Sequence, residues 1–215
     1  NDSDSSFAHI GAAAEEAIEF DEADIKGMST GLRDLDKQIN GISKSDLIII
    51  GGRPSMGKSA FSMQIGEYIA NKEPVIIFSL EMAKRQVAGR MLKHHESKVG
   101  RSQALAHLQS LKLHIDDTPA ITIGHIRSRC RQIKRKQGLS LIVVDYIQLM
   151  RGEGDNRNQE IGSITRGLKA IAKEFDIAVI ALSQLSRKVE ERTDKRPIMS
   201  DLRESGEIEQ DADII

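Results

Sequence analysis

The chain has no tryptophan, a single cysteine (Cys130), four prolines and only five phenylalanines and two tyrosines among 215 residues. One cysteine excludes an internal disulfide framework and suits a reducing compartment. The shortage of aromatics leaves few rings to stack on nucleobases. Phe61, Phe78, Phe175 and Tyr146 stand in apolar stretches and are expected to be buried. No apolar run approaches membrane-spanning length and no signal peptide is visible, so no membrane partner is expected. An excess of one charge is missing too: the formal net charge is -1, so any grip on a polyanion must come from local patches. What is abundant is aliphatic. At 39% hydrophobic the chain can bury a full core, as one domain plus an appendage. It starts at Asn1 and stops at "DADII" inside an apolar run, which reads as part of a longer protein.

Residues 1–6, "NDSDSS", form a polar tail, followed by "FAHIGAAAEEAIEF" with Phe7, Ile10, Ala14 and Ala17/Ile18 at helical spacing. That helix admits two placements, on its own domain or on a neighbouring molecule. "DEADIKG" separates it from the rest, which sets the boundary at residues 1–26 and 27–215. Beyond it, short Ile- and Val-rich runs predict strands at Leu47–Gly51, Val75–Ser79, Leu113–Asp116, Leu141–Asp145 and Ile177–Leu182. Helical stretches lie between them at Lys58–Asn71, Ala83–His95, Thr122–Gln137 and Asn158–Phe175. This alternation predicts an α/β fold with a mostly parallel, twisted sheet and helices on both faces. Its chemistry belongs at the carboxyl ends of the strands.

Four strand ends carry chemistry. In "IIIGGRPSMGKSAF" the spacing G-x-x-x-x-G-K-S falls on Gly52, Gly57, Lys58 and Ser59, after a strand and at the start of a helix. Glycine there lets backbone N–H groups face an anion, and the helix start adds its positive dipole end. The cradle comprises Gly52, Arg53, Pro54, Ser55, Met56, Gly57, Lys58, Ser59 and Ala60. Lys58 is expected on the β- and γ-phosphates and the Ser59 hydroxyl on Mg²⁺. Asp145 ends "LSLIVVD", where a carboxylate supports the same metal. Glu81 ends "VIIFSLE" and admits two readings: a base that orients the attacking water, or an acid starting a helix. Gln184 ends "IAVIALSQ", where an amide can sense the γ-phosphate. The polar run that follows, with Arg187, Lys188, Arg192, Lys195 and Arg196, reads as a solvated loop or as a segment that moves a bound polymer. The basic cluster Arg127, Arg129, Arg131, Lys134, Arg135 and Lys136 reads as a solvated helix face.

Taken together, "GRPSMGKS", "FSLEM", "DYIQLM", "LSQLSR" and "DKRPIMSDLRESGEIEQDAD" resemble the RecA-like motor domain of DnaB-type hexameric replicative helicases. The last stretch separates this resemblance from recombinase filaments and KaiC-like rings, which share the cradle. The resemblance implies a RecA-like P-loop NTPase that uses ATP or another NTP with Mg²⁺ to unwind DNA, moving along one strand through a ring. It implies Glu81 as catalytic base, Lys58 and Gln184 on the γ-phosphate, and Ser59 and Asp145 at the metal. Arg203, Glu204 and Gly206 in "DLRESG" fall where this family grips single-stranded DNA. Residues Phe7–Phe20 resemble the linker helix through which such subunits join a homo-hexamer. Primase and a helicase loader are implied as partners of the full-length protein, in a bacterial cytoplasm, with the gene in the cell, a phage or a plasmid. Departures are expected as well. The family's N-terminal scaffold domain and last strands, with their arginine finger, are missing, and "KHHESKVGRSQALAHLQ" is shorter than its counterpart. A non-catalytic nucleotide-binding loading partner is the rival of another class; Glu81, Asp145 and Gln184 argue against it.

Overall fold

Five strands, the central ones too uniformly apolar to keep one face in water, form the centre of the computed structural model, which describes residues 9–14, 26–202 and 205–215. Contacts divide the chain into two units, Asn1–Ser43 and Lys44–Ile215. Of the expected linker helix, residues 10–14 are helical and Ile10 is exposed; the remainder lies outside the described residues.

In the first unit, helix α1 (Arg33–Ile39) is short and mostly polar, and its sequence gave no periodic signal. It is organised by Asp36, which is buried. The Asp36 carboxylate accepts the Ser29 hydroxyl at 2.6 Å, the Thr30 hydroxyl at 2.6 Å and the Thr30 N–H at 2.8 Å. Burial alone raises the Asp36 pKa, but these donors outweigh it and the net shift is downward. Met28 and Ile42 exchange backbone hydrogen bonds at 2.8 Å each way. Gly27 beside them has no room for a side chain, because a Cβ would stand 2.5 Å from the Ile42 carbonyl carbon.

The second unit carries strands β1 (Leu47–Gly52), β2 (Val75–Ser79), β3 (Leu113–Asp116), β4 (Leu141–Asp145) and β5 (Ala178–Gln184). All pair in parallel in the order β1-β5-β4-β2-β3. Both faces are covered. Helix α2 (Lys58–Ala70) lies against one, with Gly66 within van der Waals reach of Ile77, Val143 and Val75. On the other, α5 (Ile123–Gln137) and α6 (Arg157–Glu174) supply Ile126, Cys130, Ile161, Ile164, Leu168 and Ile171 to the core around Ile76, Phe78, Ile142 and Val144. Each such aliphatic side chain contributes about 1.5–3 kcal/mol on burial. The Cys130 thiol, buried in that layer, is pushed up to about 12, so it stays protonated and inert.

Two helices join α2's side of the fold: α3 (Lys84–Val99) and α4 (Arg101–Ser110). The first runs four residues past its predicted end, and the second was not predicted, since its apolar residues have no helical stripe. Gly100, at φ +81°, joins them. After β5 come a short helix α7 (Lys188–Glu191), a 3-10 turn (Met199–Asp201) and α8 (Ser205–Asp211). Helix α8 is held to α6 by Arg166–Glu207 at 2.6 Å and by a hydrogen bond from Thr165 to Asp211. The final residues then reach β1, where Ile49 N–H donates to the Ile214 carbonyl at 2.9 Å.

Candidate nucleotide-binding site

Parallel register places the decisive residues along one sheet edge. Gly52 at the end of β1 pairs with Gln184 at the end of β5. Ser79 at the end of β2 pairs with Asp145 at the end of β4. Beyond β1 the chain turns through Ser55 (φ +66°) and Gly57 (φ +88°), the second a conformation that a side chain disfavours. Gly57 is also the N-cap of α2, so Lys58, Ser59 and Ala60 occupy the first helical turn, whose N–H groups have no intrahelical acceptor. A Cβ on Gly52 would meet the Lys58 side chain at 3.4 Å; the loop folds back closely over its own strand. Arg53 braces that loop, donating through Nε to Glu190 at 2.7 Å and through Nη1 to the Leu185 carbonyl at 3.1 Å.

Asp145 is 2% exposed. Burial pushes its pKa up, the Ser59 hydroxyl and the Lys58 ammonium oppose that rise, and the Glu81 charge adds to it. Despite those neighbours, Asp145 Oδ1 has no hydrogen-bond partner, although buried carboxylate oxygens ordinarily find one. A divalent cation answers all three features: an acceptor oxygen left over, a hydroxyl beside it and a second carboxylate close by. The residues present therefore fit Mg²⁺, with Ser59 and Asp145 as the groups that would hold it.

Glu81 reaches this place through the backbone. The Leu80 N–H donates to the Asp145 carbonyl at 2.8 Å, and the Ser79 hydroxyl donates to the Met82 carbonyl at 2.7 Å. Those two bonds fix the turn that carries Glu81, which stays exposed while its charge bears on both Asp145 and Tyr146. Lys58 Nζ lies 4.8 Å from the centre of the Tyr146 ring. Lys58, Ser59, Asp145 and Glu81 are thus together. Gln184 stands one strand beyond, beside Gly52, in β5 itself rather than after it.

Residues beyond the motif assignments also shape the site. Gln148, in a 3-10 turn (Ile147–Leu149), accepts the Gln184 N–H at 3.2 Å and donates to the Ser183 hydroxyl at 2.9 Å, so it links the ends of β4 and β5. It belongs to "DYIQLM", but nothing in the spacing assigns it. Phe61 is a correction: expected in the core, it is exposed. It lines a cavity of about 380 Å³ with Gly52, Met56, Lys58, Val189 and Lys195, and Tyr146 is only half-buried.

The loop after β5 is pinned at both ends. Leu185 bridges Leu202, and the Ser186 N–H donates to the Asp201 carbonyl at 2.7 Å. Buried Asp201 takes both guanidinium nitrogens of Arg192, at 3.1 and 2.5 Å, and the Ile198 N–H at 2.8 Å. The basic cluster of α5 is largely paired within the fold. Arg127 and Arg131 share Glu174, and Arg129 binds Asp116. Arg203 and Glu204 lie outside the described residues; Gly206 is exposed in α8.

A parallel α/β sheet with a glycine-bounded cradle after its first strand and carboxylates at the tips of two others is the RecA-like phosphate-loop NTPase class. The chain belongs to the DnaB-like helicase C terminal domain family, which it matches over residues 27–215. It is 46% identical over 214 residues to the replicative DNA helicase DnaB of Geobacillus stearothermophilus, covering 90% of this chain and 47% of that protein. It is 47% identical over 212 residues to the replicative DNA helicase DnaC of Bacillus subtilis, covering 89% and 47%. The chain therefore spans about half the length of the curated relatives it matches. Among solved structures, a DnaB-like replicative helicase described with its interactions with primase superposes with a TM-score of 0.85 at 36% identity, over 94% of this chain and 56% of that one. The family decides between this reading and the recombinase or KaiC-like alternatives, which the cradle alone left open.

Proposed function

We propose that this chain is the motor portion, residues 27–215, of a replicative DNA helicase that hydrolyses ATP or another NTP with Mg²⁺. The observation that carries it is the orphaned Oδ1 of Asp145, buried beside Ser59, Lys58 and Glu81. A fold keeps an unpartnered buried carboxylate oxygen where a ligand completes it. In this reading the α2 N-terminus and Lys58 hold the β- and γ-phosphates, and Ser59 and Asp145 would hold Mg²⁺, which would supply charge neutralisation to the phosphates. Glu81 takes the proton of the attacking water, on a turn tied to the Asp145 carbonyl. Gln184 senses the γ-phosphate at the start of a loop running to Leu202, so loss of that phosphate is felt along the segment that ends in "DLRESG".

Arg203, Glu204 and Gly206 are assigned to the backbone of single-stranded DNA. The stretch around exposed Ile10 is assigned to docking on the next subunit of a hexamer. Primase is the proposed partner in line with the related helicase, and a loader acts through the full-length protein. Among the described residues no helix is long and apolar enough to cross a membrane. The test is strand displacement on a forked duplex by the full-length protein with ATP and Mg²⁺. Wild type should displace the strand and Lys58→Ala should not; near-normal displacement by Lys58→Ala removes the cradle assignment.

A further inference from the structure

Three metal-ligating side chains meet away from the nucleotide site, one from each of three helices. Glu67 comes from α2, His95 from α3 and His107 from α4. His95 Nε2 lies 2.5 Å and His107 Nε2 3.1 Å from the same Glu67 Oε1, and one donor atom from each residue lies within 4.8 Å of the others. The two imidazole rings are 4.6 Å apart, tilted by 54°. Both present the same nitrogen, Nε2, to a common point. All three residues are partly shielded, with side-chain exposures of 17, 21 and 32%.

Two His and one carboxylate form a recognised set for a borderline divalent ion. Bonds of about 2.0–2.2 Å at a tetrahedral angle put ligand atoms about 3.3 Å apart. Opening the His95–Glu67 contact by about an ångström and closing the remaining donor separation, which is no more than 4.8 Å, meets that spacing, within reach of side-chain rotation. A fourth position opens onto a cavity of about 670 Å³ lined by Tyr68, Arg90, His94 and Lys98. His94 is engaged elsewhere, at 2.9 Å from Lys98 Nζ.

The placement also gives the ion something to do. The α3–α4 hairpin is poorly anchored by apolar contact: Val87 and Met91 are the buried hydrophobics of α3, and Ala104 that of α4. Its far end, from His95 to His107, meets α2 through this polar cluster. A metal there ties the hairpin to the helix whose first turn carries Lys58 and Ser59.

We propose that Glu67, His95 and His107 form a zinc-class divalent metal site that clips the α3–α4 hairpin to α2. The rival is a plain hydrogen-bonded cluster in which both imidazoles donate to Glu67. Titrating the metal-stripped chain with Zn²⁺ against a chromophoric chelator, and with Co²⁺ by visible absorption, separates the two. Expected are one Zn²⁺ per chain and an intense Co²⁺ band of four- or five-coordination. The Zn²⁺ affinity should fall more than about 100-fold, and the band vanish, in Glu67→Gln and in His107→Gln. Saturation at 100 times Kd should raise Tm by roughly 5–10 °C in wild type and not in the variants. His114→Ala, whose ring contacts Gln137 on α5, should bind as wild type. Melting without metal shows that each variant is folded. Zn²⁺ binding unchanged in folded Glu67→Gln and His107→Gln, or a weak six-coordinate Co²⁺ spectrum in wild type, overturns the proposal.

Discussion

Replacing Asp145 by Asn separates a structural aspartate from a functional one, because the two roles predict opposite signs. In the metal-free chain this carboxylate is 2% exposed with one oxygen unpartnered, an arrangement that costs about 1–3 kcal/mol. The amide has the same shape without the charge, so the penalty of burying a charge is relieved while one polar atom stays unpartnered. Against the gain stands the lost attraction between buried Asp145 and half-buried Lys58, about 1 kcal/mol. The net expectation runs from no change to a gain of about 2 kcal/mol, a rise in Tm of up to roughly 8 °C for a chain of this size. Magnesium nucleotide reverses the order. At 100 times Kd a ligand stabilises wild type by about 2.7 kcal/mol, and the variant should lose the part that depends on Mg²⁺. The assay is thermal melting followed by circular dichroism, without ligand, with nucleotide in EDTA and with nucleotide in Mg²⁺. A ligand-free variant melting several degrees below wild type makes Asp145 a structural residue. An undiminished Mg²⁺-dependent shift in the variant would equally refute the reasoning.

Glu81→Gln, on an exposed turn whose backbone bonds it leaves intact, should bind nucleotide normally while hydrolysis slows about 10²–10⁴-fold; a collapse of affinity measured by fluorescent-nucleotide titration makes Glu81 structural. Asp116 is buried toward a higher pKa, but the Thr118 N–H, His125 and Arg129 outweigh this and hold it well below the carboxylate range. Its folded form therefore binds protons less tightly than its unfolded form. Its contribution of about 1–3 kcal/mol is present above pH 4 and is lost as pH falls further. Urea midpoints at pH 5 and pH 3 should differ less in Asp116→Asn than in wild type. Gly27→Ala should open the Met28–Ile42 pairing, since the new methyl meets Ile42 backbone at 2.5 Å. Proteolysis between Lys26 and Ser43 should accelerate about tenfold, and unchanged cleavage shows that the backbone shifts freely.

Local chemistry settled a good deal in advance. The central strands β2, β4 and β5 were legible because strands buried on both faces must be apolar along nearly their whole length, and that pattern needs no partner to be recognised; β3, with exposed His114, carries it only in part. The cradle was legible for a related reason: Gly57 at φ +88°, followed at once by Lys58 and Ser59, is a backbone requirement written in residue type. Helices α1 and α4 were not legible. One is held by hydroxyl and amide donors to Asp36, the other by α3 and by Glu67 of α2, and neither has an apolar stripe of its own. That the charge of Glu81 bears on Asp145 follows from the pairing of β2 with β4, which no local pattern shows. Gln148 joined the site only because the ends of β4 and β5 are neighbours, and Phe61 left the core because its turn of α2 faces a cavity. Residue type and spacing thus determined the strands, the phosphate loop and the chemistry available at each strand tip, since those depend on a few consecutive residues. The tertiary structure decided which tips share one place and which polar groups are left without a partner, since register and burial depend on residues as distant as Leu47 and Asp213, 166 positions apart.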